Sequence, residues 1–517
     1  MPFLTTLTYS YQNKITMKKI IVTCLIFICL TSFGQSVKWG TLAEFSKSNF
    51  FDIHRYSCIR VDTNGFYLLH QKNIAQYSVE KFNHSLRKVE VSELKKLPLY
   101  KDIRKEIEYV FNINGTTYGI SVVKEFKYNR NHYFLEKFNP ETLEFEEQEK
   151  LYTFKYTNTE NEVFNVGFRV SPNKKKLLVT KVSYNKGNEN RRYFFAVYNE
   201  NLELEWDEII KVPIEKKTDY MMSSDFVLSN SGDVYMYNTI SITRPKYPSW
   251  KDEIVSLCEK GKRTKIYDLA IKDGLSSIGC EMFLTDKDDL IISGFYTDKM
   301  NGAKDRLLGN YHLMLNTKSE EIELETYHPF KTRNYRYALN RGSYNKEISS
   351  KKENYTMPKA FTYSGNQLIT ENGVIYHVVR LYSKEGRITG ICVYNISDKG
   401  TLEWICQIPI KGNTNIGSQL VDDKLYVVYN DHVANENLEL NKIPKKIPEE
   451  SGARDGCLVL VTLDEMGNSR RKIISKNGEE GGRIETFYSF QRDVNFMLLY
   501  GENNKKKELY FGLLKLD

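Results

Sequence analysis

The chain has 517 residues, a length that by itself suggests about three domains. Apolar residues make up 41% and charged residues 27%, which excludes a disordered chain, and only 12 Pro excludes collagen-like and Pro-rich classes. The net charge of +8 is carried by Lys and Arg interspersed with acids, without the broad basic field that nucleic acid requires as a partner. Aromatics reach 13%, led by 36 Tyr and 27 Phe, residues that suit half-buried strands.

The first element in chain order reads as a secretory leader. Met17-Lys18-Lys19 is a short basic start, and Ile20–Leu30 is an apolar run too short to span a bilayer. Ser32-Phe33-Gly34 places small residues before a cut between Gly34 and Gln35. Residues 1–16 precede this better start, so Met17 is the expected initiator and 1–34 are expected to be absent from the mature chain. No later run approaches the length of a membrane span. Export to the periplasm, rather than full secretion, is the expected location.

Past the leader, one pattern recurs eight times: an apolar strand, a tight polar turn and a second strand rich in Tyr, Val, Ile and Leu. The copies begin at Cys58, Val110, Phe168, Phe226, Met282, Gln367, Gln419 and Tyr488. Asn, Asp, Gly and Ser hold the turns, because they accept positive φ or bond their own backbone. A second hairpin follows most copies, as in YFLEKFNPETLEFEE from Tyr133 and ICVYNISDKGTLEWICQIP from Ile391.

Two hairpins per repeat make four strands, and such units repeated along a chain predict an all-β fold, a β-propeller of four-stranded antiparallel blades. Eight blades are expected, with seven as the alternative, in one domain over 35–517. The last repeat has sequence for only three strands, so Val37–Phe45 is expected to supply the fourth beside Leu509–Leu516 and close the ring. Helical spacing is confined to short stretches such as Ser92–Glu106.

Two insertions interrupt the rhythm, at about 331–359 and 431–455. The first holds Arg333, Arg336, Tyr335 and Tyr337 among further Lys, Arg and Tyr, and could serve an anionic or membrane-facing partner. A solvated loop over a blade edge is its simpler reading. Asn430-Asp431-His432 opens the second insertion and is the best polar cluster at a strand end for binding a partner, with a strand-ending turn as its simpler reading.

Six cysteines follow the leader, none in a C-x-x-C pair. Cys392 and Cys406 could face each other across a hairpin turning near Ser397–Gly400 and form a disulfide; two free buried thiols are the other reading. The eight His are scattered, with no H-x-H or H-E-x-x-H spacing, and no P-loop or G-x-S-x-G elbow appears. Asp62-Thr63-Asn64-Gly65 starts like a calcium loop but lacks the remainder and reads as a hairpin turn. No catalytic, metal or cofactor residue is named from these patterns, and no cofactor is expected.

The stretches LIISGFYTDK, GVIYHVVRLYSKE, ISDKGTLEWICQIPIKG and DDKLYVVYNDHVANEN, the ending ELYFGLLKLD and the leader ending SFGQ resemble a group of uncharacterised exported β-propeller-like proteins of Bacteroidetes. That likeness covers roughly Leu275–Asp517 and implies architecture and export but transfers no functional residue. Asp398–Trp404 and, more weakly, Asn199–Trp206 are similar to the repeats of pyrroloquinoline-quinone-type propellers. With only four Trp in the chain, this fits a non-catalytic relative better than a quinone enzyme. The reading is therefore an exported, non-enzymatic binding or assembly scaffold whose partner is an envelope protein or glycan. The alternative is an envelope glycan hydrolase or lyase with an axial active site.

Overall fold

The computed structural model describes residues 37–39, 56–73, 76–83, 88–155, 162–185, 190–213, 220–242, 249–269, 275–285, 288–298, 309–329, 363–370, 372–382, 388–408, 410, 416–435, 456–476, 483–485, 496–503 and 508–516. They are strands and tight turns, with two single 3-10 turns, Phe126–Tyr128 and Val433–Asn435. Seven antiparallel sheets follow one another along the chain, and a further sheet joins its two ends. Sheet 1 covers Tyr56–Lys96, sheet 2 Glu106–Lys155, sheet 3 Glu162–Pro213 and sheet 4 Tyr220–Asp268. Sheet 5 covers Leu275–Pro329, sheet 6 Tyr363–Ile408 and sheet 7 Ile416–Lys476. The closing sheet holds Arg483–Glu485, Phe496–Asn503, Glu508–Lys515 and Val37–Trp39.

The fold is a β-propeller built of four-stranded blades, with one correction to the expectation of eight such blades. Seven sheets have four strands, and sheet 1 has five. There Lys88–Val91 pairs with one half of Gln76–Phe82 and Lys95–Lys96 with the other. Between the two, the Ser92 hydroxyl accepts the N–H of Val79 at 2.8 Å, so a side chain interrupts the outer edge. Ser92–Glu106, the stretch nearest to helical spacing, thus holds a strand and a bridge between Tyr100 and Ile103.

The closure falls where it was expected. Val37, Lys38 and Trp39 pair antiparallel with Leu514, Leu513 and Gly512, as the outermost strand of the closing sheet. The remainder of Val37–Phe45 and the leader, with its cut at Gly34 and Gln35, lie outside the described residues.

Local chemistry explains the hairpins. Asn114-Gly115 and Asp422-Asp423 both have positive φ at the two turn positions, as two-residue hairpin turns require. Longer turns are tied by a hydroxyl or amide at the strand end: Ser229 Oγ accepts the N–H groups of Gly232 and Asp233, and Thr370 Oγ1 accepts that of Val374. Asp62 Oδ1 accepts the N–H of Asn64 at 2.8 Å, a turn bond in place of a calcium ligand.

Consecutive sheets bury apolar faces against one another. Phe111, Tyr133 and Phe154 of sheet 2 pack on Phe168 and Val179 of sheet 3, and Tyr376 and Val393 of sheet 6 pack on Val427 and Val461 of sheet 7. Outer strands reach over the next sheet's outer turn: Trp206 lies over Gly261, and Trp404 lies over Gly467 while donating its indole N–H to Glu465 O at 2.8 Å. Gly467 has φ +80, and a Cβ there would sit 2.9 Å from the Trp404 ring. Gly467→Ala should therefore lose about 2 kcal/mol, through backbone strain and ring displacement together. A urea midpoint equal to that of the wild type would refute this packing.

Candidate functional site

Strand direction sorts the connections between two faces. Among the described turns, 114–115, 229–233 and 422–423 join a first strand to a second, and 140–143 and 464–468 join a third to a fourth. Antiparallel pairing puts all of these on one face. The far ends of the second and fourth strands lie on the other face, with the described turn 126–129 among them. Two of those strand ends are where the insertions leave: Pro329 ends the outer strand of sheet 5, and His432 ends the second strand of sheet 7. Arg333, Tyr335, Arg336 and Tyr337 themselves lie outside the described residues.

Asn430, Asp431 and His432 end the second strand of sheet 7, and Asp431 is committed to structure. Its Oδ2 accepts Arg471 Nη2 at 2.7 Å, and its Oδ1 accepts Asn435 Nδ2 at 2.8 Å and the His432 N–H at 2.7 Å. Both side chains of the ion pair are only 7% exposed. Arg471 Nε also donates to Tyr429 Oη at 3.2 Å, and His432 Nδ1 accepts the N–H of Ala434 at 3.0 Å. The arrangement pins the stem of the second insertion and folds Val433–Asn435 into its 3-10 turn.

The disulfide is not formed. Cys392 stands opposite Gln407, and Cys406 opposite Val393, so the two thiols point to opposite faces of sheet 6 and both are free and buried. Burial pushes the Cys392 thiol well above its usual range and the Cys406 thiol up to about 11.

Sequence reasoning missed the rim of sheet 2. Phe126–Tyr128 is a 3-10 turn between the second and third strands, closed by Asn129 in the left-handed region. Phe126 is 72% exposed and Tyr128 54%, with Leu99 of the incoming linker at 59%. Below them His132 bonds Glu125 Oε2 through Nε2 at 3.0 Å and Thr153 Oγ1 through Nδ1 at 2.8 Å. The His132 bond lowers the Glu125 carboxyl from its ordinary value. Tyr100 packs on both His132 and Phe134, with ring centroids 5.0 Å apart in each case, which holds the linker over this rim. A signal was present: EFKYNRNHY puts Phe and Tyr where a hairpin tip ordinarily carries Gly, Asn or Asp.

Two further polar clusters are buried. Lys105 bonds Glu136 Oε1 at 3.0 Å, also pairs with Glu147, and lies 4.1 Å from the Phe134 ring centroid. Ser121 donates to the same Glu136 oxygen at 2.6 Å, and burial raises the Glu136 carboxyl. Between sheets 5 and 6 the apolar cluster is small, built on Ile291, Ile369, Ile375 and Ile396. Asn310 and His312 are fully buried there on one face of their strand, and His377 lies against the Phe295 ring at 4.9 Å. Both polar side-chain atoms of Asn310, both ring nitrogens of His312 and Nδ1 of His377 have no hydrogen-bond partner among the described residues. Burial drives His312 down to about 4 and His377 to about 3, so both imidazoles are neutral at ordinary pH. Among the described residues no group of three or more His, Cys, Asp or Glu could hold a metal ion.

The fold places the chain among β-propeller proteins. No protein-family model matches it, and no curated protein does. Similar solved structures include a mutant of the Synechocystis apocarotenoid oxygenase, at 8% identity and TM-score 0.32 over 64% of this chain and 67% of that one. Another is the Penicillium chrysogenum α-L-arabinanase complexed with arabinobiose, at 9% and 0.33 over 72% and 97%. A third is an acylaminoacyl peptidase, at 10% and 0.36 over 86% of this chain and 57% of that one. Likenesses this distant carry no activity over to the chain.

Proposed function

We propose that this protein is an exported, non-enzymatic β-propeller that binds a protein or glycan partner in the periplasm, through the face of long connections. The observation that carries the reading is the asymmetry of the two faces. Tight, side-chain-tied turns close one face, while the other holds the strand ends Pro329 and His432, from which the insertions leave, and the exposed rings of Phe126 and Tyr128. Loops on a rigid scaffold are where binding residues concentrate, and exposed Tyr and Phe beside cations are typical anchors of a partner. The alternative, an envelope enzyme with an axial site, draws support from the Thr153–His132–Glu125 chain of hydroxyl, imidazole and carboxylate. That chain, however, involves the second, third and outer strands of sheet 2 and not the inner one.

The test is photo-crosslinking in the intact envelope, with the cross-linker placed at Tyr128 or at Met466. Met466 is 82% exposed on a tight turn of the opposite face. Discrete adducts are expected from position 128 and none from 466. Adducts confined to 466, or catalytic turnover of an envelope glycan by the purified protein, would overturn the proposal.

A further inference from the structure

The rim of sheet 2 combines exposed apolar side chains, cations and a rigid base. Leu99, Phe126 and Tyr128 project into solvent, each more than half exposed. Residues 99–104 and 124–130 supply Lys101, Arg104, Lys127 and Arg130 against Asp102 and Glu125, with Lys124 already paired to Glu106 at 3.1 Å. Lys127 Nζ and Arg130 Cζ lie 5.5 and 5.9 Å from the Tyr128 ring centroid, so the charges surround the ring. The Glu125–His132–Thr153 bonds and the stacked Tyr100 fix the turn from below. The exposure is thus built into the fold and is not the fraying of a loose loop.

We infer that this rim docks on an anionic phospholipid leaflet, with Phe126 and Leu99 entering the headgroup–acyl boundary, Tyr128 at headgroup level and the cations on lipid phosphates. The inference rests on the reading of the protein as an envelope binder that acts through this face. Charge complementarity selects a negative partner. Leu99 selects lipid over polysaccharide, since a branched aliphatic side chain offers a sugar neither a hydrogen bond nor a flat face to stack on, and Phe126 beside it extends the apolar surface. Both gain free energy on leaving water for the bilayer interface, while basic neighbours remain with the headgroups.

The test is co-sedimentation of residues 35–517 with vesicles of phosphatidylcholine alone or containing about one third phosphatidylglycerol, at low and high salt. Binding is expected only to the anionic vesicles, weakening as salt rises. The pair Phe126→Ser and Tyr128→Ser, and separately the pair Lys127→Glu and Arg130→Glu, should each lower the partition coefficient by at least about tenfold. Met466→Ser should leave it unchanged, and the thermal midpoints should match the wild type because the substituted groups sit at the rim. Equal binding to neutral vesicles, or undiminished binding in both double variants, would overturn the inference. So would saturable binding of a soluble anionic polysaccharide together with no vesicle binding, which would assign the rim to a glycan. Cross-links from position 128 alongside absent vesicle binding would sink this inference alone, whereas cross-links only from 466 would sink the broader reading.

Discussion

Acidification from pH 7 to pH 5 should remove about 2 kcal/mol of stability through each of His312 and His377. Both imidazoles are buried and neutral, driven to about 4 and about 3 chiefly by loss of solvent, with His328 adding to the effect on His312. Their folded pKa values thus lie below the unfolded value of about 6.5. As the pH falls past that value the unfolded chain takes up protons that the folded chain refuses, so stability falls with it. The loss continues until the folded imidazoles protonate as well, near the depressed values. Glu136 and Glu108, whose carboxyls burial raises, act in the opposite sense. The variants His312→Leu and His377→Phe isolate the imidazole contribution, the second keeping a ring against Phe295. Urea unfolding at the two pH values should show a markedly smaller pH loss in the double variant. An identical loss in the double variant and the wild type would contradict the burial of neutral imidazoles between sheets 5 and 6.

Asp431→Ala should cost about 3–5 kcal/mol, because it leaves the Arg471 guanidinium buried without its carboxylate. Asn435 Nδ2 and the His432 N–H lose their acceptor in the same change. Replacing both charges, Asp431→Leu with Arg471→Met, should recover most of the loss, since a well-packed apolar pair avoids desolvating two ions. Urea midpoints of the wild type, single variant and double variant decide the matter. A single variant within about 1 kcal/mol of the wild type would mean that the ion pair is not what anchors the strand end. Loss of partner binding at unchanged stability would return Asp431 to the binding role its position in the sequence suggested.

How far the site was legible follows from where its residues lie. Asn430, Asp431 and His432 were found because they interrupt an apolar strand, a local signal. Their meaning lay with Arg471, forty residues on, which the local pattern does not mark. The rim of sheet 2 was visible in principle, since aromatic residues at a hairpin tip break the rule of turn chemistry. Lys105 with Glu136, and Phe295 with His377, were not: each pair meets only because segments distant in sequence come together in the fold.

The sequence by itself determined the antiparallel four-stranded rhythm, most of the turns and the closing strand. All of these rest on alternation, turn residues and a missing fourth strand, information carried within a few neighbouring positions. Tertiary structure alone decided which polar groups are paired, which stay unpartnered and which side chains share a face. The two cysteines of sheet 6 show the reason. With an unbroken register continuing from the Ile396–Leu402 pair, Cys392 would face Cys406. A bulge between that pair and the Asn395–Trp404 pair shifts the partner strand by one residue, so Cys392 meets Gln407 instead. Because side chains alternate with a period of two, one extra residue sends every later side chain of that strand to the other face.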